Sequence, residues 1–223
     1  MTTHTAPLGE PKDPPPERRG AVLVVEDDPL VQRALARLLR TAGYQARVFG
    51  SVGEFFASEP PAGPVCLVLD LHLPGGHGID ILDRLAEAGN PLPAVVLTGH
   101  GDVPSAVRAM KRGAVEFLEK PFDPSVLLAA VEAALARAAE LGDARRRRRS
   151  IAERLDTLTP RESEVFLHVV AGWANKRIAS GLGVAEHTVK VHRGRVMEKM
   201  AAGSLAELVR MAATLGIDGV KPP

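Results

Sequence analysis

Short apolar runs alternate with amphipathic segments along the first 140 residues. The runs are candidate strands: Ala21–Val25, Gln45–Phe49, Val65–Leu69, Ala94–Leu97 and Val115–Leu118. The first, third and fourth are almost continuously apolar, which is typical of parallel strands covered on both faces. A helical pattern follows each run, so the sequence predicts an α/β fold with a doubly wound (βα)5 parallel sheet. Such sheets collect functional side chains at the carboxyl ends of their strands.

Capping residues predict where the helices of this half begin and end. Pro29 starts the first helix and Gly43 ends it, and Ser51 opens a short second helix. Ile79, Leu82 and Leu85 mark the third helix, and the fourth helix covers Val103 to Arg112. Asp123 caps the fifth, whose apolar face runs to Leu141.

Polar side chains occupy four of the predicted strand ends. Glu26 and Asp27 follow the first run, Asp70 the third, Thr98 the fourth and Lys120 the fifth. An aspartate that attacks an anionic phosphoryl donor needs a cation nearby, and Mg²⁺ prefers oxygen ligands. We therefore predict phosphorylation at Asp70, with Mg²⁺ shared by Glu26, Asp27 and Asp70. Lys120 supplies a charge, and Thr98 a hydroxyl, to the phosphoryl oxygens.

Charge divides the chain unevenly. Residues 21–140 hold ten Lys and Arg against 15 Asp and Glu, whereas residues 141–150 hold five Arg and one Asp. Residues 151–223 hold ten basic and eight acidic residues. An acidic first half and a basic second half indicate different partners. The single cysteine, Cys66, excludes an intramolecular disulfide and fits a reducing, cytoplasmic location. No apolar stretch is long enough to predict a membrane span.

Two segments show neither the apolar pattern of a strand nor that of an amphipathic helix. Residues 1–19 contain five prolines and almost no large apolar side chains, so we expect a disordered Pro-rich tail. Gly142 and Arg145–Arg149 interrupt the helical pattern, which predicts an Arg-rich linker over 142–154. The simplest interpretation is a solvated linker, and the alternative is a linker that also contacts DNA phosphates.

The remaining residues are predicted to be entirely helical. Thr159–Glu162 and Ser204–Glu207 both have the sequence of a capping box. Between them, a helix over Asn175–Gly181, a turn containing Gly183 and a helix over Glu186–Met200 form a helix-turn-helix pattern. We therefore predict a small all-α domain over 155–217.

Residues 20–141 resemble the receiver domain of bacterial two-component response regulators. The segments Thr98–Pro104 and Gly113–Phe122 are similar to the FixJ-type branch. The resemblance implies that a sensor histidine kinase donates the phosphoryl group. It also implies that the backbone carbonyl of His72 is a further Mg²⁺ ligand, and that the Lys120–Pro121 bond is cis. The side chains of His72 and His100 would tune the lifetime of the acyl phosphate.

The same resemblance implies a conformational switch. Thr98 would move toward the phosphoryl group and Phe117 would rotate inward, although static core packing is the alternative for Phe117. The surface over about 103–119 would then form a homodimer on phosphorylation.

Residues 155–217 resemble the LuxR-type helix-turn-helix domain. The similarity is carried by Leu158–Val165, Gly172–Ala179 and Thr188–His192. It implies that the helix from Glu186 enters the major groove of double-stranded promoter DNA. Four side chains are expected at or near the bases, and four at phosphates; the first set is Thr188, Lys190, Val191 and Arg193, and the second is Lys176, Arg177, Arg195 and Lys199.

Two residues depart from the LuxR-type pattern. Ala185 stands where a capping Ser is usual, and Gly194 stands where a long side chain reads DNA in relatives. Base preference is therefore not transferable from relatives. The last helix, Ser204–Leu215, either pairs with its copy on DNA or packs within its own domain.

The sequence thus predicts a phosphorylation-activated transcriptional regulator, with RNA polymerase as a partner if it activates. It is not expected to be an enzyme beyond slow loss of its own phosphoryl group. A phosphorylation-independent DNA-binding protein with an inert receiver is one alternative. A haloacid-dehalogenase-like phosphatase is another, but those enzymes carry a second acid where this chain has His72.

Overall fold

The computed structural model describes residues 19–74, 76–99 and 103–220, except for the side chain of Val103. The described chain divides into two compact units, with the boundary between Gly142 and Asp143. The predicted tail, apart from Arg19, and His100 lie outside the described residues. Among the described residues, none of the helices is long and apolar enough to cross a membrane.

The first unit is built on a parallel sheet. In chain order its elements are β1 (Ala21–Val25), α1 (Pro29–Thr41), β2 (Gln45–Phe49), α2 (Val52–Ala57), β3 (Val65–Asp70), β4 (His72–Leu73), β5 (Gly76–His77), α3 (Gly78–Glu87), β6 (Ala94–Thr98), α4 (Val103–Lys111), β7 (Ala114–Glu119) and α5 (Pro124–Leu155). The described sheet has five strands in the order β2-β1-β3-β6-β7, all parallel. The predicted doubly wound fold is confirmed, and four of the helices begin directly after Asp28, Ser51, His77 and Asp123.

Alternate residues of the central strands enter two separate apolar cores. Leu67 and Leu69 of β3 pack on the side of α2 and α3. Cys66 and Val68, between them, pack with residues of α1 and α5 on the opposite face. Because both faces are covered, the central strands must be apolar at every position. Cys66 is fully buried, and this burial raises the pKa of its thiol to about 12.

A short antiparallel ribbon was not predicted. It pairs β4 with β5, placing His72 opposite His77, and it joins the end of β3 to α3. Strands of two residues are too short to produce a periodic apolar pattern, so the sequence carried no signal for this ribbon.

The prediction that the fifth helix ends near Leu141 was wrong. Helix α5 continues to Leu155 and includes Gly142 and all five arginines of the predicted linker. Arginine is a good helix former, and two ion pairs along the helix offset part of the charge repulsion. These pairs join Arg146 to Asp143 and Arg149 to Glu153.

The second unit continues with α6 (Pro160–Val170), α7 (Asn175–Leu182), α8 (Glu186–Lys199) and α9 (Leu205–Leu215). Gly183, with φ +65°, ends α7 in the left-handed conformation that allows the sharp turn into α8. The core of the second unit is formed by buried apolar side chains from these four helices, including Phe166, Ile178, Val196 and Leu208.

The two predicted capping boxes differ. Thr159 and Glu162 exchange both expected hydrogen bonds at the start of α6, which confirms the first box. At α9 the Ser204 hydroxyl accepts from the Glu207 amide as predicted. The Glu207 carboxylate, however, accepts from the amide of Gly203 rather than from Ser204, so the second box was predicted wrongly in that half.

Candidate phosphoacceptor site and DNA-binding surface

Three carboxylates meet at the carboxyl edge of the sheet. Asp70 is the last residue of β3, while Glu26 and Asp27 follow the neighbouring strand β1. One oxygen from each of the three lies within 4.8 Å of the others. Glu26 and Asp70 are buried, and Asp27 is exposed. The cluster therefore has an all-oxygen donor set that remains open to solvent on one side.

Lys120 brings the compensating positive charge. It follows β7, and its Nζ donates to Oδ2 of Asp70 and to Oε2 of Glu26, at 2.6 Å each. Its backbone amide donates to the carbonyl of Thr98 at 2.7 Å, which ties the end of β7 to the end of β6. The Lys120–Pro121 peptide bond is cis, as the resemblance implied.

Burial and neighbouring charges shift two pKa values in this cluster. Burial raises the pKa of the Glu26 carboxyl; the Lys120 ammonium opposes this shift and the Asp70 charge adds to it. Burial alone would lower the pKa of Lys120, but its hydrogen bonds to Asp70 and Glu26 outweigh that effect and raise it. The lysine therefore remains an ammonium at neutral pH, directed at Asp70.

The predicted switch residues lie on adjacent strands. Thr98 is fully buried at the end of β6. Phe117, three residues before Lys120 on β7, is half-buried and packs against the core on the α2 and α3 side. The core therefore does not fully enclose its ring.

The ribbon after β3 borders the carboxylates. The amide of His72 donates to Oδ1 of Asp70 at 3.0 Å, and its exposed ring lies 5.6 Å from that of His77. Gly78, which sequence reasoning missed, packs directly beneath the Asp70 backbone: an added Cβ would overlap the Asp70 carbonyl oxygen. The available signal was a glycine at the start of a helix: glycine has a low helix propensity, so its presence there indicates a close backbone contact.

Helix α8 presents a basic, solvent-exposed surface. Val189 and Val196 are buried in the core, whereas Lys190, Val191 and Arg195 are exposed. Gly194 is also exposed, and an added Cβ there would meet open space. Thr188 is half-buried near the start of the helix. Among the residues of α8 assigned to DNA, Lys190, Val191 and Arg195 are thus accessible to solvent, and Thr188 is partly accessible.

Asn175 of α7, and Trp173 just before that helix, contact other members of this surface. Oδ1 of Asn175 accepts from Nη1 of Arg193 at 3.1 Å, which links the two helices of the motif. The guanidinium of Arg177 stacks over the ring of Trp173 at 4.3 Å. Lys176 is exposed beside them. Asn175 and Trp173 thus restrict where two of the predicted DNA-contacting arginines can point.

Lys199 lies in a different environment. Its Nζ donates to Oε2 of the buried Glu162 at 2.6 Å and to the carbonyl of Thr157 at 3.0 Å. These contacts join the end of α8 to the start of α6, so the ammonium is already engaged within the unit.

Two family models match the chain, one in each compact unit. The response regulator receiver domain matches residues 22–132, and the model described as bacterial regulatory proteins, luxR family, matches residues 156–212. Nodulation protein W of Bradyrhizobium diazoefficiens is 47% identical over 89% of this chain and 88% of its own length. The transcriptional regulatory protein FixJ of Azorhizobium caulinodans is 44% identical over 88% and 93%.

The chain is a two-component response regulator of the NarL/FixJ type.

Solved structures of response regulators agree with this assignment. A structure of the response regulator StyR is 42% identical, with a TM-score of 0.76, and covers 87% of this chain and 98% of that one. Full-length FixJ from B. japonicum is 40% identical, with a TM-score of 0.53, over 88% and 97%. As a NarL/FixJ-type response regulator with these two domains, the protein is a phosphorylation-activated transcriptional regulator and not a classical enzyme. Its domains imply a histidine kinase and DNA as partners, and its acidic cluster is of the kind at which receivers bind Mg²⁺.

Proposed function

We propose that Asp70 is the phosphoacceptor of this regulator. The observation that carries the proposal is that Asp70 belongs both to the carboxylate cluster and to the ion pair with Lys120. A phosphoryl group on Asp70 therefore arises beside an oxygen-lined cation site on one side and an ammonium on the other. We also propose 20–141 as the limits of the receiver domain and 155–217 as those of the helix-turn-helix domain, with residues 143–154 belonging to the same compact unit as the latter.

The donor set at this edge fits Mg²⁺. Glu26, Asp27 and Asp70 supply carboxylate oxygens, and the backbone carbonyl of His72 is proposed as a further ligand. Bound there, Mg²⁺ offsets the repulsion between the Asp70 carboxylate and an anionic donor. Asp27 is the exposed member of the cluster, so its side can remain open to water and to the incoming phosphoryl group.

The transfer reaction requires little from other side chains. A carboxylate oxygen of Asp70 attacks phosphorus on the phosphohistidine of the kinase; the new P–O bond forms as the P–N bond breaks, and the imidazole takes up a proton. The Lys120 ammonium, already within 2.6 Å of Asp70, holds an oxygen of the transferred group. The amide of His72, bonded to the other carboxylate oxygen, fixes the orientation of Asp70.

Phosphorylation is proposed to act through Thr98 and Phe117. The Thr98 hydroxyl donates to the phosphoryl group, and Phe117 then turns inward. The surface over about 103–119 rearranges and pairs with a second copy. Helix α4 supports this assignment because it exposes Val107 and Met110, two large apolar side chains that a partner surface would cover.

The output domain is proposed to place α8 in the major groove. Thr188, Lys190, Val191 and Arg193 then lie at or near the bases, with Lys176, Arg177 and Arg195 at phosphates. Lys199 is left out of this proposed set because Glu162 and Thr157 engage it. We propose that the regulator activates transcription rather than represses it, with RNA polymerase as a further partner.

The acyl phosphate is proposed to hydrolyse slowly without a dedicated catalytic residue. The side chains of His72 and His100 are placed by sequence two residues after Asp70 and Thr98, where they can influence the approach of water. An unchanged half-life of the acyl phosphate after substitution of both histidines would remove this role.

Sedimentation velocity tests the central proposal. Wild type, Asp70→Ala and the control Glu87→Gln, which removes one exposed carboxylate from α3, are compared with Mg²⁺ before and after a small-molecule phosphodonor is added. Wild type and the control are expected to dimerise, whereas Asp70→Ala stays monomeric. Dimerisation of Asp70→Ala would contradict the assignment of the phosphoacceptor.

A further inference from the structure

The five consecutive arginines of α5 are the strongest local concentration of charge that the proposed function leaves unused. Residues 143–223 carry 15 Lys and Arg against nine Asp and Glu, and five of these 15 are Arg145–Arg149. Without the run, the unit would have nearly balanced charge. All five side chains are exposed.

The run is attached to the output unit by specific contacts. Nη1 of Arg148 donates to the carbonyl of Thr214, near the end of α9, at 2.8 Å. One turn later, Ile151 and Leu155 pack against the apolar core of that unit. The arginines therefore belong to the body that carries α8 and are held on it by both polar and apolar contacts.

Helical geometry spreads the five guanidinium groups around the axis. Successive residues are about 100° apart, so a run of five covers a full turn. With Arg148 directed at α9, Arg145 and Arg149 lie on one flank, Arg147 on the other, and Arg146 on the outer face. Arg146 and Arg149 pair with Asp143 and Glu153, but these pairs are more than half exposed. Arg147 has no polar partner among the described residues.

We propose that the outward-facing arginines of this run, with Arg146 at the centre and Arg147 and Arg149 on either side, form a second, sequence-independent phosphate-binding surface for duplex DNA, in addition to α8. This inference rests on the proposed DNA-binding role of the output unit. Exposed arginines that repel one another are stabilised by an anion, and the DNA backbone offers anions at a spacing that several arginines can follow. Such a surface raises affinity for all sequences and leaves base preference to α8.

The salt dependence of DNA binding tests the proposal. Binding of full-length protein to a random-sequence 30-base-pair duplex is measured by fluorescence anisotropy over a range of KCl concentrations, with and without phosphodonor. Each phosphate contact contributes about 0.9 to the slope of log affinity against log salt. The variant Arg146→Gln/Arg147→Gln, which removes the arginine of the outer face and its neighbour on the flank, is expected to lower the slope by about 2 and to weaken binding to any duplex.

Two further variants separate a local contact from a general charge effect. Arg33→Gln/Arg37→Gln removes the same charge from exposed positions of α1 and is expected to keep the wild-type slope. Arg146→Lys/Arg147→Lys retains the charge and is expected to keep the wild-type slope as well. An unchanged slope in the Arg146→Gln/Arg147→Gln variant, or an equal loss in the α1 variant, would overturn the proposal while leaving the role of α8 intact. A wild type that binds no duplex would overturn both.

Discussion

Gly78 packs against the main chain of Asp70 so closely that any side chain there would overlap the Asp70 carbonyl oxygen. The Gly78 amide also donates to the carbonyl of Leu71 at 2.9 Å. The first turn of α3 thus supports the end of β3 from below. The position of Asp70, the proposed phosphoacceptor, therefore depends on the absence of a β-carbon at residue 78.

Gly78→Ala is therefore expected to damage the site without changing any polar group in it. The backbone must shift to admit a methyl group, at a cost of about 1–3 kcal/mol in the free energy of unfolding. Chemical unfolding followed by circular dichroism measures the cost, and Phos-tag electrophoresis measures the phosphorylated fraction. Gly76→Ala, whose added Cβ would meet nothing closer than 3.9 Å, is the matched control. Equal behaviour of the two variants would show that the close approach is unimportant.

Asp27→Asn is expected to weaken Mg²⁺ binding and to abolish phosphorylation at limiting Mg²⁺. Residues that only support a metal ligand commonly contribute about 10–100-fold to metal affinity, so loss of a charged ligand should cost at least that factor. Isothermal titration with Mg²⁺ provides the dissociation constant, and excess EDTA should block phosphorylation of wild type.

The neighbouring acid provides the control for that experiment. Asp28 caps α1 through its Oδ1, which accepts from the Leu30 amide at 2.7 Å, and asparagine caps helices equally well. Asp28→Asn should therefore keep wild-type Mg²⁺ affinity. A loss of affinity equal to that of Asp27→Asn would contradict the ligand assignment.

The Glu162–Lys199 pair predicts an acid-sensitive output unit. The hydrogen bond from Lys199, followed by that from the Thr159 amide, lowers the pKa of Glu162 from 4.5 to about 2. Because the folded-state pKa is the lower one, this stabilisation is complete above about pH 4.5 and is lost as the pH falls toward 2. Urea unfolding of the second unit can be followed by fluorescence of Trp173, the only tryptophan in the chain.

Glu162→Gln should remove this part of the pH dependence. Its unfolding midpoint is expected to fall at pH 7 but to approach that of wild type near pH 2. The control is Glu164→Gln, which removes only an exposed pair with Arg161. A Glu162→Gln curve parallel to wild type between pH 4.5 and 2 would count against the pair as the cause.

Gly194→Ala should stabilise α8. Its added Cβ would meet open space, and alanine is favoured over glycine inside a helix by up to about 1 kcal/mol. Gly183→Ala is the opposite case because φ is +65° there, and it should destabilise the unit by about 1–2 kcal/mol. Urea midpoints read from Trp173 fluorescence distinguish the two, and a destabilised Gly194→Ala would point to a backbone role for this glycine.

Regular patterns made much of this molecule predictable. Apolar runs locate the five strands of the sheet, and because parallel strands end at one edge, the sequence predicts that Glu26, Asp27, Asp70 and Lys120 lie together. Two-residue strands such as β4 carry no period, and so the sequence does not predict the ribbon that places His77 opposite His72.

Single contacts across the second unit were beyond sequence reasoning. The sequence does not predict the ion pair of Lys199 with Glu162, because the two residues are 37 positions apart and Glu162 is recognisable only as part of a cap. Helix α5 extends past its predicted end because Ile151 and Leu155, which follow the arginines, pack against the core of the second unit and offset the charge repulsion.

The burial of Cys66 has a practical consequence. The chain has no other cysteine, and a thiol that is fully enclosed with a pKa near 12 does not react with maleimides or methanethiosulfonates while the protein is folded. Cysteines introduced at one exposed position in each unit would therefore be the only labelled sites. Pairs of spin labels or fluorophores could then measure the distance between receiver and output domain in solution, before and after phosphorylation, without first removing a native thiol.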